Sequence, residues 1–327
     1  MERQILAPVI PFGSGRVHPR PNHDRKLTHV IESQQFTVPL LMELFERAQG
    51  MERVVARGGS LEYQNRIMAT LFYAASTRTR LSFEAAMQRL GGRVLSTEQA
   101  RAFSCEIEGE QLEDTIRSIG CYCDVIVLRH TQQGGAKRAS QVSPVPLINA
   151  GDGDGGQHPT QALLDVYTIF RERPLDGLSI AIVGELDKGR AARSLTYLLA
   201  KFERVKIFFV SPPEQQMKPD ILEYLNEHGV RYELESQIER VIGEVDAIYQ
   251  TRIRSEPADT LSNPLQFAVN SAMLQKMRPG ALILHPLPRT VELDRSVDQD
   301  PRALYFRQAV NGLYVRMALL TMLLEKN

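Results

Sequence analysis

The chain of 327 residues is long enough for two domains of roughly 100–200 residues each. At 43% hydrophobic it can bury real cores, yet no apolar run approaches the ~20 residues that a membrane span needs. Lys plus Arg and Asp plus Glu both number 39, so net charge gives no case for a nucleic acid or an anionic membrane surface, and any anion site must be local.

Residues 1–25 carry Pro8, Pro11, Gly13, Gly15, Pro19 and Pro21 and read as an irregular arm. They lack a signal-peptide pattern, which fits a cytoplasmic protein. Val38-Pro39-Leu40 opens a helix with Leu40, Leu41, Leu44 and Phe45 on one face. Leu71 to Tyr73 reads as a strand end. Phe83, Ala86, Met87 and Leu90 then repeat at the spacing of an amphipathic helix. Between them stands Ser76-Thr77-Arg78-Thr79-Arg80. A helix N-terminus offers unpaired N–H groups and the positive end of a dipole, and Arg grips phosphate oxygens with two bonds. These residues can therefore form a phosphate cradle; taken alone, they fit a capped helix with solvated arginines equally well.

Arg93 to Leu95 reads as a second strand, and Ser96 to Gln111 as a long polar loop. Leu112 to Tyr122 is helical. Val125 to Leu128 is a buried strand ending in Arg129-His130. A helix near Gly135 to Gln141 leads to a short strand, Pro146 to Asn149. Glycines from Gly151 onward make a turn before His158-Pro159-Thr160-Gln161, where Pro159 suits a helix start. The helix Thr160 to Phe170 ends at Arg171–Pro174, and the domain join is placed there.

The second half repeats the alternation. Strands are expected at Ser179–Gly184, Val205–Val210, Arg231–Glu233, Ala247–Gln250 and Ala281–Leu284. Helices are expected at Arg190–Phe202, Lys218–His228, Gln237–Gly243 and Ser271–Lys276, with a last apolar helix at Ala309–Leu324 that returns to the first domain. Strand–helix alternation in both halves predicts an α/β protein of two doubly wound parallel-sheet domains. Ligands of such sheets bind beyond the carboxyl ends of the strands. The polar groups there are Ser76 to Arg80, Arg129 with His130, His158 with Gln161, Arg190, Thr251 with Arg252 and Arg254, and His285-Pro286-Leu287-Pro288-Arg289. Together they predict an interdomain cleft for a small, multiply anionic ligand.

Competing signatures are weak. Gly184 to Gly189 has neither the dinucleotide-binding nor the P-loop form, and no HExxH or clustered Cys/His suggests a metal. No Ser or Cys sits in a nucleophile elbow. Cys105, Cys121 and Cys123 read as ordinary buried or half-buried reduced thiols, and Cys121-Tyr122-Cys123 lacks zinc-site spacing.

Ser76 to Arg80, Arg129-His130, His158 to Gln161 and His285 to Arg289, in this order, resemble the transcarbamoylase family. The run Gln157 to Asp165, and a His-Pro-Leu-Pro-Arg rather than a cysteine-bearing variant, resemble its aspartate branch. The likeness runs from about Thr28 to Leu324. It implies carbamoyl transfer from carbamoyl phosphate to an amino acid, most simply L-aspartate in pyrimidine synthesis, with no cofactor, metal or covalent intermediate. By that resemblance Ser76, Thr77, Arg78 and Thr79 hold the phosphate. Thr79, Arg129 and His158 donate to the carbamoyl oxygen. Gln161 and the carbonyls of Pro286 and Leu287 fix the carbamoyl amide, with a cis Leu287–Pro288 bond. Arg190 and Arg252 grip the acceptor's carboxylates. Residues 26–158, completed by a helix at 306–327, correspond to the carbamoyl-phosphate domain. Residues 159–173 are an interdomain helix, and 174–305 bind the amino acid. The family also assembles as trimers whose polar loop, here Ser96 to Gln111 with Ser104, enters the neighbour's site.

Three positions depart from the family's pattern. Glu108 falls where a loop lysine is usual, Ala74 or Ala75 where a glutamate is, and Arg254 where a glutamine is. Arg101 is the nearest loop cation that could replace the lysine. The phosphate half is intact and the acceptor half is altered. Two alternatives therefore stand beside aspartate transfer: a different, diamino acceptor whose second amine meets Glu108, or a non-catalytic paralogue serving as a partner subunit.

Overall fold

The computed structural model describes residues 27–98, 109–253 and 264–325. Helix α1 (Val38–Ala56) starts where the Thr37 hydroxyl accepts from the Leu40 N–H at 3.4 Å. It buries Leu41, Leu44, Phe45 and Ala48. Strands β1 (Ile67–Phe72), β2 (Arg93–Glu98), β3 (Val125–His130) and β4 (Leu147–Asp152) form a first sheet in the order β2-β1-β3-β4. Helices α2 (Thr77–Arg89), α3 (Leu112–Gly120) and α4 (Gly135–Val142) connect them. Every pairing is parallel. β3 and β4 are almost wholly buried, because crossover helices cover both faces of a parallel sheet.

Helix α5 (Pro159–Glu172) leads to a second parallel sheet. Its strands are β5 (Ser179–Val183), β6 (Lys206–Val210), β7 (Arg231–Glu235), β8 (Ala247–Gln250) and β9 (Leu282–Leu284), in the order β7-β6-β5-β8-β9. α6 (Arg190–Leu199), α7 (Pro219–Glu227) and the single turn α8 (Ser271–Leu274) lie between them. α9 (Tyr305–Leu324) then packs against α1, α2 and α5. Buried side chains of α1, α5, α6 and α9 merge with those of both sheets into one core. Arg173, just past α5, donates to Asp246 Oδ1 at 2.9 Å, and Asp246 Oδ2 accepts from the Ser179 N–H at 2.9 Å, so α5 is tied to the start of β5. None of the described helices is long and apolar enough to cross a membrane.

The α/β class read from the sequence is the one observed, and several local readings change. Gln237–Gly243 is not a helix; only Ile238–Arg240 turns, as a 3-10 segment, with Ile238, Val241 and Ile242 buried against the second sheet. The last helix begins at Tyr305 rather than Ala309, since Gln308 N–H already bonds to the Leu304 carbonyl at 2.7 Å. β2 takes in Ser96 to Glu98 from the expected loop, because those residues keep pairing with Thr70 to Phe72. Cys121 is exposed, not buried, because it follows the end of α3; Cys123 is half-buried, and burial pushes its thiol up to about 11. Cys105 lies outside the described residues.

Candidate active site

Each sheet reverses its strand order once, between β1 and β3 in the first and between β5 and β8 in the second. A reversal leaves a crevice beyond the strands' carboxyl ends. The carboxyl ends of those four strands and the segments after them carry Ser76 to Arg80, Arg129-His130, Gly184 to Arg190 and Thr251-Arg252, so both crevices are lined by the polar groups singled out from the sequence.

A β-bulge brings the two crevices together. Leu128 pairs with Asn149 and His130 with Asp152, so Ala150 and Gly151 both face Arg129. The extra residue bends β4 and re-aims the chain. Gly151 takes φ +110°, which a side chain would disfavour, and its N–H is held by Asn149 Oδ1 at 2.8 Å. Arg129 Nη1 donates to the Ala150 carbonyl at 3.2 Å. A methyl group on Gly151 would stand 3.3 Å from Arg129 Nη1, 3.3 Å from Arg190 Nε and 3.4 Å from His158 Cδ2. Three side chains from β3, the α5 start and the α6 start thus converge over one glycine. His158 is fixed there by its backbone N–H, which donates to the Ser194 hydroxyl at 2.8 Å.

The electrostatics are those of an anion site. Burial, then Arg190 and Arg78, push Arg129 down to about 9 from its ordinary 12.5. Burial, then Arg129, Arg190 and Arg316, drive His158 well below 6.5, so its imidazole is neutral. Arg78 also acts on His285 across the site. Arg129 Nε is buried without a protein partner. Like charges held this close are relieved by an anion between them.

Three helix starts add to this. Ser76, His158 and Gly189 stand at the N-caps of α2, α5 and α6, and none supplies a side-chain cap. Their first-turn N–H groups are therefore not closed off as Thr37 closes α1. On α2, Thr79 is buried, Ser76 half-buried, and Thr77 and Arg78 exposed. Arg80 does not join the cradle. Its Nη1 binds Ser96 Oγ at 2.9 Å and Glu84, pinning α2 to β2.

The far wall is the turn His285 to Arg289. Leu287–Pro288 is cis, and Leu287 has φ +50°. The Leu287 N–H donates to His285 Nδ1 at 2.8 Å, while His285 Nε2 faces Glu292 Oε1 at 3.0 Å, so the ring carries its proton on Nε2. Pro286 and Leu287 are half-buried. Arg289 is bound to Asp298. Gln161, in the first turn of α5, gives its Nε2 to Asp165 Oδ1 at 2.8 Å.

The sequence-predicted residues divide as follows. Arg129, His158 and Arg190 meet over Gly151, with Arg78 close enough to perturb Arg129. Arg252 follows β8 and is exposed; its carbonyl accepts from the Glu185 N–H at 3.0 Å. Ser104, Glu108, Arg101 and Arg254 lie outside the described residues. Sequence reasoning passed over Ser194, Asp165, Tyr249, Gln308 and Arg316. Of these only Asp165 had a local signal, four residues after Gln161 on one helix face. No group of three His, Cys, Asp or Glu among the described residues is placed to hold a metal ion.

The profile of the aspartate/ornithine carbamoyltransferase carbamoyl-phosphate-binding domain matches residues 28–171, and that of the aspartate/ornithine-binding domain matches 176–323. The chain is 52% identical over 306 residues to aspartate carbamoyltransferase 1, chloroplastic, of Pisum sativum, covering 91% of this chain and 79% of that one. It is 43% identical to the aspartate carbamoyltransferase catalytic subunit of Methanothrix thermoacetophila, covering 92% and 99%. The Trypanosoma cruzi aspartate transcarbamoylase in complex with carbamoyl phosphate and aspartate superposes with a TM-score of 0.87 at 37% identity, covering 92% of this chain and 96% of that one.

Proposed function

The chain belongs to the aspartate/ornithine carbamoyltransferase family, and we infer that it moves the carbamoyl group of carbamoyl phosphate to the amine of L-aspartate, a reaction of pyrimidine synthesis. The observation that carries this reading is the convergence of Arg129, His158 and Arg190 over Gly151, a cationic crevice where the two sheets' switch points meet. The α2 start, with Ser76, Thr77, Arg78 and Thr79, holds the phosphate. The amine attacks the carbonyl carbon, the C–O bond to phosphate breaks, and phosphate leaves with the electron pair and takes up the proton that the amine loses. Thr79, Arg129 and neutral His158 donate to the oxygen that gains charge, each donor worth about 3–4 kcal/mol in such sites. Thr160 Oγ1 lies 3.4 Å from His158 Nδ1; when that hydroxyl donates, the ring proton is on Nε2, the tautomer that donation to the carbamoyl oxygen requires. Gln161 and the Pro286 and Leu287 carbonyls take the carbamoyl NH2. Arg190 and Arg252 bind the acceptor's carboxylates, with Ser104, Glu108 and Arg254 assigned there from the sequence alone.

The reading also takes the protein as cytoplasmic and as a homotrimer sharing sites through residues 96–111. Its support is the family's pattern, together with Leu81 and Leu95, which are about half exposed on α2 and the edge strand β2 beside that loop.

Glu108, Ala74 and Arg254 favour a second reading, in which the acceptor is a diamino acid or the chain is a non-catalytic partner subunit. Phosphate release from carbamoyl phosphate, measured with aspartate and then with a panel of amines, separates them. Turnover with aspartate at ordinary enzymatic rates removes the diamino reading. No release with any amine, at normal folding, removes carbamoyl transfer.

A further inference from the structure

One buried carboxylate stands behind the site and takes no part in the chemistry described. Asp165 is fully buried on α5. Its Oδ1 accepts from Gln161 Nε2 at 2.8 Å and from Gln308 Nε2 at 2.8 Å, and its Oδ2 from the Tyr249 hydroxyl at 2.6 Å. Those donors come from α5, α9 and β8 respectively. Gln308 continues the chain: its Oε1 accepts from the His285 N–H at 2.8 Å, and His285 Nδ1 accepts from the Leu287 N–H at 2.8 Å.

A primary amide has a donor end and an acceptor end, and its partners decide which way it points. An ionised carboxylate only accepts. Asp165 therefore draws the NH2 ends of both glutamines inward and turns both oxygens outward. The Gln161 oxygen is left for the ligand. The Gln308 oxygen is left for the backbone of the turn that presents the Pro286 and Leu287 carbonyls. All three groups that the proposed function sets against the carbamoyl NH2 are acceptors, and two branches from one side chain arrange them. An acceptor-lined pocket suits an amide nitrogen and offers nothing to a methyl group.

We propose that Asp165 is a positioning residue that sets the polarity of this pocket, making it select a carbamoyl group over an acyl group that lacks N–H. The inference rests on the proposed carbamoyl-phosphate reading. Burial raises Asp165 to about 7, partly offset by Tyr249, Gln308, Gln161 and the buried Arg316, so the carboxylate is charged at about pH 8.

The test compares kcat/KM for carbamoyl phosphate with the inhibition constant of acetyl phosphate, its methyl isostere, on the full-length protein at about pH 8. Asp165→Asn keeps the shape but puts an NH2 where at least one of the three donors needs an acceptor. The preference for carbamoyl over acetyl phosphate should fall roughly tenfold, through a higher KM for carbamoyl phosphate, with acetyl phosphate inhibition little changed. Gln308→Met cuts only the branch to His285 and should lower the preference several-fold; it decides the matter if Asp165→Asn does not fold. Tyr249→Phe leaves both glutamine bonds and should keep the preference within about twofold. An unchanged preference in folded Asp165→Asn or Gln308→Met overturns the proposal, as does an equal fall in Tyr249→Phe, which would mean general loosening. A wild-type protein without carbamoyl-phosphate turnover would remove the underlying reading instead, and this inference with it.

Discussion

The backbone N–H of His158 donates to the hydroxyl of Ser194 at 2.8 Å, wholly out of solvent. His158 opens the helix that leaves the first sheet, and Ser194 sits in α6 of the second domain. The bond thus holds a candidate oxyanion donor in register with the helix that starts at Arg190. Ser194→Ala would leave a buried N–H without a partner, costing about 1–3 kcal/mol. Urea midpoints should drop accordingly, and kcat/KM should fall more than stability alone explains. Wild-type kcat/KM in this variant would show that His158 is placed by other contacts.

Gly151→Ala tests the bulge. The methyl group would enter at 3.3–3.4 Å from three site side chains, on a backbone of φ +110°. The strain is roughly 1–2 kcal/mol. The catalytic cost should be larger, since an error of about 1 Å in a constellation can cost ~100-fold. Steady-state kinetics beside a thermal melt separates the two. A variant with full activity would place the reacting atoms away from Gly151.

Arg129→Gln and His158→Ala should each lower kcat by about 100–1,000-fold, the usual loss for one oxyanion donor. Circular dichroism should stay native for Arg129→Gln, because Arg129 is relieved of, not deprived of, its neighbours' charge. A loss of less than about fivefold in both would show that the carbamoyl oxygen lies elsewhere.

Two buried groups give opposite pH slopes to stability. His158 is held well below 6.5, so an unfolded chain takes up a proton there that the native one refuses. Its contribution is complete above 6.5 and is lost as pH falls below it. Asp165 is raised from 3.8 to about 7, so the native chain keeps a proton that the unfolded one gives up. Its contribution is greatest below 3.8 and is lost as pH rises toward about 7. Between these limits the slopes oppose. Asp165→Asn removes one of them, so the variant should lose stability more steeply than wild type on acidification below 6.5. Equal slopes in denaturant titrations at several pH values would mean that Asp165 is ionised in the native state throughout.

Glu108→Lys restores the cation that the family resemblance puts at this position of the 96–111 segment. At ~4 Å and an effective dielectric of about 20, one such contact with a substrate charge is worth roughly 4 kcal/mol, so aspartate turnover should rise at least tenfold. No gain would mean that Glu108 does not occupy the lysine's place.

The strands at Val125, Ser179 and Ala247 are legible in the sequence because parallel strands buried on both faces are unbroken apolar runs. The groups after them are legible because the fold sends ligands to strand ends. The segment after Gln237 reads as a helix from the spacing of Ile238, Val241 and Ile242, but β8 begins at Ala247 and the chain has room for one turn. The bulge is not legible, since it arises from pairing between β3 and β4 rather than from either strand. Nor is the network around Asp165. Its bond to Gln161 spans four residues, while those to Tyr249 and Gln308 span 84 and 143.

The placement of α9 dictates an order of events during synthesis. Among the described residues α9 packs along both α1 and α2, and Tyr305–Leu324 is translated after both sheets. As the nascent polypeptide leaves the ribosome, the amino-terminal lobe must wait, greasy side uncovered, until the second lobe has been made. Such a surface invites chaperones, and a message truncated before codon 305 would yield a lobe prone to aggregate.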